Sequence, residues 1–224
     1  MLMSYPMKIL DVPRSGSYAG VTSSRNRFGQ YVRTRATPVN PNSTTQGTVR
    51  ARMSANAAGW RALTDGQRAG WEALGATMTR TDSLGQVYDL NGFMAYCLVN
   101  NNNLAAGNAI VATAPGLVTP SAMLTAVVTL TAAVFSIAYT PTPLAAGVRL
   151  FSYASPQRSA GRSFEGDYRL IAVSAAAAAT PANIYAAYIA RLGVPIVGQR
   201  VFLSLVAYSS GFLSAPLLTS AIVA

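Results

Sequence analysis

The chain has no histidine, one cysteine (Cys97), one lysine (Lys8) and only seven acidic residues among its 224. Each shortage removes a class of chemistry. Without imidazole there is neither a histidine base for a serine or cysteine nucleophile nor a histidine-ligated zinc. A single thiol forms no intrachain disulfide, which excludes a disulfide-stapled scaffold. Long uninterrupted apolar runs are missing too. The stretch from Met123 to Tyr139 is laced with threonine and stops at Thr140-Pro141-Thr142-Pro143, well short of the ~20 apolar residues a lipid-spanning helix needs. Pro6 and Lys8 break the first ten residues, so no signal-peptide core is read there. The expectation is a protein made in a cytoplasm without a cleavable signal, with no membrane association, no cofactor and no catalytic role.

What is present is arginine, unevenly spread. Residues 1–80 hold eleven bases against three acids, a net +8, and the remaining 144 residues hold six arginines against four acids, a net +2. Guanidinium groups make planar, two-pronged contacts and tolerate interfaces better than ammonium groups do. The second half is rich in Ala, Val, Leu, Thr and Ser with little charge, a surface that neighbouring molecules are expected to cover.

Along residues 1–41 no helical period is found. Gly16, Gly20 and Gly29 flank short alternating segments, clearest over 30–37, where Tyr31, Arg33, Arg35 and Thr37 share one face and Val32, Thr34 and Ala36 the other. Pro38 and Pro41 end the strand. A basic extended arm or hairpin is expected here, with too little apolar content to order itself alone. Ser43 and Gln46 then have capping-box spacing, as do Thr64 and Gln67. Two helices are predicted, the first with Val49, Met53, Ala57 and Trp60 inward and the second with Trp71, Leu74 and Met78 inward. Trp60 and Trp71 are expected to stack on each other as a structural core. A loop or strand pair surrounds Gly85, and Asn91 caps a third helix whose end Asn100–Asn103 weakens. Gly107, Pro115, Gly116 and Pro120 mark a linker.

From Met123 the period becomes that of strands: 124–130, 133–139, 148–154, 168–174, 199–208 and 215–223, with 175–192 readable as helix or strand. About seven strands over about 100 residues suffice for an Ig-like sandwich. The expected fold is α+β: an extended basic arm (1–41), a helical region (42–107) holding the two-tryptophan hairpin and a third helix, a linker (108–122), and an Ig-like antiparallel sandwich (123–224).

Candidate sites are few. The arm residues Arg25, Arg27, Tyr31, Arg33 and Arg35 are expected to bind partners: arginines supply ion pairs and the strand supplies backbone bonds. The same arginines, interleaved with Tyr18 and Phe28, also suit phosphate neutralisation and base stacking, so nucleic acid is the alternative partner. Cys97 reads as a small buried hydrophobe. Asp82, Asp89, Glu165 and Asp167 offer a carboxylate pair, but Glu165-Gly166-Asp167 has the composition of a turn. Arg158 with Gly161-Arg162-Ser163 is expected to be a flexible loop.

Two resemblances add to this. Gln199–Val206 followed by Ser210–Pro216 is similar to the penultimate strand, turn and last strand of a fibronectin type III domain, with Phe135 and Tyr139 in place of its early-strand tryptophan. Gly29-Gln30-Tyr31-Val32-Arg33, Pro38, Pro41, Gln46, Arg50 and then Trp60–Trp71 resemble structural proteins of bacteriophages and prophages, in which an arm and a helical hairpin precede an Ig-like module. The resemblance implies a virion component, such as a capsid-decoration, connector or tail-associated subunit. Its partners would be other virion proteins and further copies of itself.

Overall fold

Turning at Ala19 and Gly20, the start of the chain folds back as an antiparallel meander of β1 (Gly16–Tyr18), β2 (Val21–Asn26) and β3 (Gly29–Thr34), in that order across the sheet. Ala19 takes a left-handed φ of 48° to make the turn, and the Arg35 amide closes on Gly20 O at 2.8 Å. The computed structural model describes residues 15–26 and 29–224, so Arg27 and Phe28 lie outside the described residues. The chain divides into two compact units, Met1–Gln46 and Gly47–Ala224.

Helix α1 (Thr44–Ala62) starts at a reciprocal cap: the Gln46 amide donates to Ser43 Oγ (3.4 Å) and the Ser43 amide to Gln46 Oε1 (3.2 Å). Thr64 and Gln67 repeat the device at α2 (Asp65–Ala76). A short pair, β4 (Thr79–Thr81) and β5 (Val87–Asp89), precedes α3 (Gly92–Ala105), whose first turn is capped by Asn91 Oδ1 accepting from the Met94 amide at 2.8 Å. Helices α2 and α3 approach closely because Gly75 and Gly92 leave room. A Cβ on Gly75 would sit 2.5 Å from Leu90 O, and one on Gly92 would sit 2.7 Å from Glu72 Cγ.

In α1 the expected inner face is only half covered. Val49 and Met53 are 53% and 42% exposed, because the α3 side chains that meet α1 reach only its second half: Asn101 at Met53 and Asn56, then Phe93 and Tyr96 at Trp60. Asn56, not a hydrophobe, is the fully buried residue of this helix.

The remainder of the chain forms β6 (Thr125–Leu130), β7 (Phe135–Thr140), β8 (Arg149–Ala154), β9 (Arg169–Val173), β10 (Ala182–Asn183), α4 (Tyr185–Leu192), β11 (Arg200–Ser209), β12 (Phe212–Leu213) and β13 (Leu217–Ile222). The segment 175–192 thus resolves into a two-residue strand and a helix. One sheet has the order β10-β7-β6. The other runs β12-β11-β8-β9, with β13 also pairing β11. The fold is α+β, with antiparallel pairs throughout.

The two sheets share one core: Leu130, Phe135, Ile137 and Tyr139 from the first, and Leu150, Ala154, Val201, Leu203, Leu205 and Ala207 from the second. Tyr188 of α4 is fully buried within it, edge-on to Phe135 at 5.1 Å. Strand β11 is buried on both faces. Its Val206 and Tyr208 turn the other way, toward Phe151 and the Ala106 end of α3, with Tyr208 stacked on Phe151 at 5.2 Å. Burying a large apolar side chain stabilises by about 1.5–3 kcal/mol, so this strand ties the end of α3 to the sheets.

Asn100–Asn103, expected to weaken the end of α3, are instead its polar junction with more distant parts of the chain. Asn100 Oδ1 accepts from the Val111 amide (2.8 Å) while its Nδ2 donates to Val111 O (3.2 Å). Asn102 Nδ2 donates to Gly211 O at 2.8 Å, and the Tyr208 hydroxyl donates to Asn103 Oδ1 at 2.7 Å. Residues 108–122, expected as a linker, are strapped to the helices in the same way, since Trp71 Nε1 donates to Ala112 O at 2.7 Å. The division between units accordingly falls at Gln46–Gly47.

Candidate protein interface

The register of the N-terminal sheet decides which arginines act together. Thr22 lies opposite Arg33 and Ser24 opposite Tyr31, while Ser17 lies opposite Thr22. Opposed residues project to one side, so Tyr31 and Arg33 share a face with Ser17, Thr22 and Ser24. A 2.8 Å hydroxyl contact between Ser17 and Thr22 fits this placement. Arg25, opposite Gln30, belongs to the other face with Tyr18, Val21 and Val32. Arg35 lies just past the end of β3. The five residues expected at the interface are therefore not one patch: Tyr31 and Arg33 make one, Arg25 contributes to another, Arg35 sits at the strand end and Arg27 is outside the described residues.

Among the described residues of this sheet, Thr22, Ser23, Ser24 and Gln30 are half-buried and most of the rest are exposed. Tyr18 is 85% exposed, and Val21, Tyr31 and Val32 are also exposed. Among the described residues of this unit none is a buried hydrophobe. Strand β3 is at the sheet edge, so its residues Tyr31–Thr34 have a strand on one side only among the described residues. A three-stranded meander needs an apolar face against something to be stable.

The tryptophans do serve as core, but through a third ring. Tyr96 lies edge-on to Trp60 at 5.5 Å and to Trp71 at 5.1 Å, and among the described residues no stacked Trp60–Trp71 pair occurs. The expected stacking fails because Tyr96 on α3 fills the space between them. Trp71 is fully buried and Trp60 partly so, with Phe93 edge-on at 5.6 Å. The Tyr96 hydroxyl is buried with no hydrogen-bond partner among the described residues, and burial pushes its pKa up, with Cys97 adding to the effect. Cys97 is buried beside it, its thiol pushed up by burial as well, which opposes thiolate formation.

The acidic residues resolve into turn chemistry. Asp82 Oδ1 accepts from the amides of Leu84 and Gln86, both at 2.8 Å, closing the turn between β4 and β5. Glu165 is buried and is gripped by Arg158 Nε, with Arg162 Nη2 at 3.6 Å and the Gly166 and Asp167 amides on Oε1 at 2.9 and 3.0 Å. The Arg158 hydrogen bond, with those amides, holds its pKa down from 4.5 to about 2. The loop expected to be flexible is thus pinned from inside by one carboxylate, and Arg200 Nη1 adds a 3.0 Å bond to Arg162 O. Glu165 is spent on two guanidinium groups and stays ionised, so it does not supply the proton a glycosidase acid must give.

No helix among the described residues is long and apolar enough to cross a membrane. Comparison with protein-family models, with curated proteins and with solved structures found no match.

Proposed function

We propose that the chain is a structural subunit of a virion, a capsid-decoration, connector or tail-associated protein, that anchors on an oligomeric assembly through its N-terminal sheet. The observation that carries the reading is the sheet β1-β2-β3, which shows Tyr18, Val21, Arg25, Tyr31, Val32 and Arg33 exposed across its two faces, in a unit without a buried hydrophobe among its described residues. Strand addition at the β3 edge would supply main-chain bonds, and Tyr31 with Arg33 would supply a stacking and ion-pairing face. The virion assignment itself rests on the phage-protein resemblance.

The second half is read as an Ig-like module of the fibronectin type III kind. Supporting this, the chain passes from β6-β7 to β8-β9, returns to β10 and crosses again to β11 and β13. In this reading the order β8-β11-β13 would correspond to strands C, F and G of an Ig-like sandwich. Phe135 and Tyr139, read as standing in for the early-strand tryptophan, lie in the core that the two sheets share.

The test is assembly. A chain lacking residues 1–41 is expected to lose most of the partners that the full chain retains on affinity capture from the cells that make it. Normal occupancy by the shortened chain sinks the proposal.

Nucleic acid is the second reading, favoured by Tyr31 and Arg33 standing side by side on one face. Binding through phosphates should weaken by orders of magnitude between about 50 and 200 mM salt. Anisotropy of a labelled single-stranded oligonucleotide separates this from a salt-resistant, strand-paired protein contact.

A further inference from the structure

Between α4 and β11, the loop over residues 193–198 holds Val194, Ile196 and Val197 at 58%, 57% and 65% exposure. Exposed apolar side chains are ordinary on a loose loop, but this backbone is clamped. Gln157 Nε2 donates to Val194 O and Gln157 Oε1 accepts from the Ile196 amide, both at 2.7 Å. The Gly198 amide reaches Val223 O at 2.9 Å, and the Gln199 amide reaches Ile196 O at 3.1 Å. A tip fixed in this way loses little conformational freedom on contact.

Its rim is positive. Arg191 precedes the loop and Arg200 comes after it. The nearby carboxylates are already engaged: Glu165 by Arg158 and Arg162, and Asp167 by Arg169 at 3.1 Å.

The opposite chemistry stands on the β4–β5 hairpin. Leu84 at the turn and Val87 are 81% and 69% exposed, with Asp82 in the turn and Asp89 on the face of Val87, while Tyr88 and Arg80 pair on the other face. Outside the Glu165 loop, every carboxylate side chain among the described residues lies between Asp65 and Asp89. The chain therefore separates its own charges: an apolar tip with a basic rim, and an apolar hairpin with an acidic one.

We propose that the 193–198 loop of one copy docks on the β4–β5 hairpin of a second copy of this chain, head to tail. Apolar tip meets apolar hairpin and the two rims attract. The two surfaces differ, so the contact is heterologous and propagates into a ring or a filament. It uses no residue of the N-terminal sheet and does not depend on the anchoring role above.

Two variants of the full chain test it by sedimentation velocity over a concentration series, each first checked for native circular dichroism and melting. Ile196→Asp with Val197→Asp spoils the tip, and Leu84→Ser with Val87→Ser spoils the hairpin. Each alone should self-associate at least ~10-fold more weakly than the parent chain. Mixed one to one they should form a new species containing one copy of each, because the first keeps an intact hairpin and the second an intact tip. Association through residues 1–41 would appear in each variant alone and is not created by mixing. The proposal is overturned if the parent chain shows no concentration-dependent species, or if mixing yields nothing beyond what each variant forms alone.

Discussion

The hydroxyl of Tyr208 donates to Asn103 Oδ1 at 2.7 Å and accepts from Asn108 Nδ2 at 2.9 Å, joining the long central strand β11 to the end of helix α3. Asn108 in turn accepts from Arg149 at 3.3 Å. A buried hydroxyl with two good partners differs from one with none, and this chain contains both. Tyr208→Phe strands a buried carboxamide oxygen, which costs about 1–3 kcal/mol. Tyr96→Phe removes a hydroxyl that has no partner, so it should leave stability unchanged or raise it. The urea midpoint is expected to fall for Tyr208→Phe and not to fall for Tyr96→Phe; a loss at Tyr96 equal to that at Tyr208 contradicts the geometry.

Glu165 makes stability depend on pH in a defined window. Its folded-state pKa is lowered from 4.5 to about 2. The unfolded chain therefore takes up this proton first, and the stabilisation is whole above about 4.5 and lost as pH falls from there toward 2. Glu165→Gln should melt lower than the parent at pH 7, with the gap closing by pH 2. A constant gap across that range would mean the carboxylate charge is not what holds the 155–168 loop.

At Gly75 two effects oppose each other. Alanine is favoured over glycine in a helix by about 1 kcal/mol, yet its Cβ would lie 2.5 Å from the Leu90 carbonyl oxygen and 3.1 Å from the Asn91 backbone. Backbone cannot step aside as a flexible side chain does, and overpacking costs about 1–3 kcal/mol. Gly75→Ala should therefore destabilise. Gly66→Ala, in the same helix with nothing within 4 Å, should stabilise by up to about 1 kcal/mol. Thermal melts of the pair distinguish packing from propensity.

Trp71 and Trp60 are predicted to be unequal. Trp71 is fully buried and donates to Ala112 O, so Trp71→Ala should cost about 3–5 kcal/mol. Trp60 is only partly buried and should cost distinctly less. Equal losses would mean that the rings pack as one stack, contrary to the edge-on arrangement around Tyr96.

Local features were the ones that could be read from the sequence. The caps at Ser43, Thr64 and Asn91 were legible because each closes within three residues. The strands of the second half were legible because alternation needs no knowledge of a partner. Tyr96 was missed: a tyrosine in an apolar helix has no signature until α1 and α2 close on it. Asn100–Asn103 were misread because an asparagine run lowers helix propensity, whereas its compensating bonds come from Val111, Tyr208 and Gly211. In the N-terminal sheet, the alternation of Tyr31 and Arg33 was visible. The placement of Arg25 on the opposite face was not, since the β2–β3 register determines it. The tip at Val194–Val197 passed unremarked because exposure and a clamp from Gln157 leave no periodic trace.

The bonds that finish α3 also set an order of events. Asn102 and Asn103 wait for Gly211 and Tyr208, partners 109 and 105 residues further along. As a chain grows from its N-terminus, the helices can form early while their last polar groups remain solvated. They can lock only after β11 and the turn beyond it have emerged. An interruption of synthesis anywhere between residues 110 and 207 would leave α3 unfinished and Val99, on which Gly211 packs, uncovered. Ribosome-bound chains of graded length should thus gain protease resistance in the helical region in one late step.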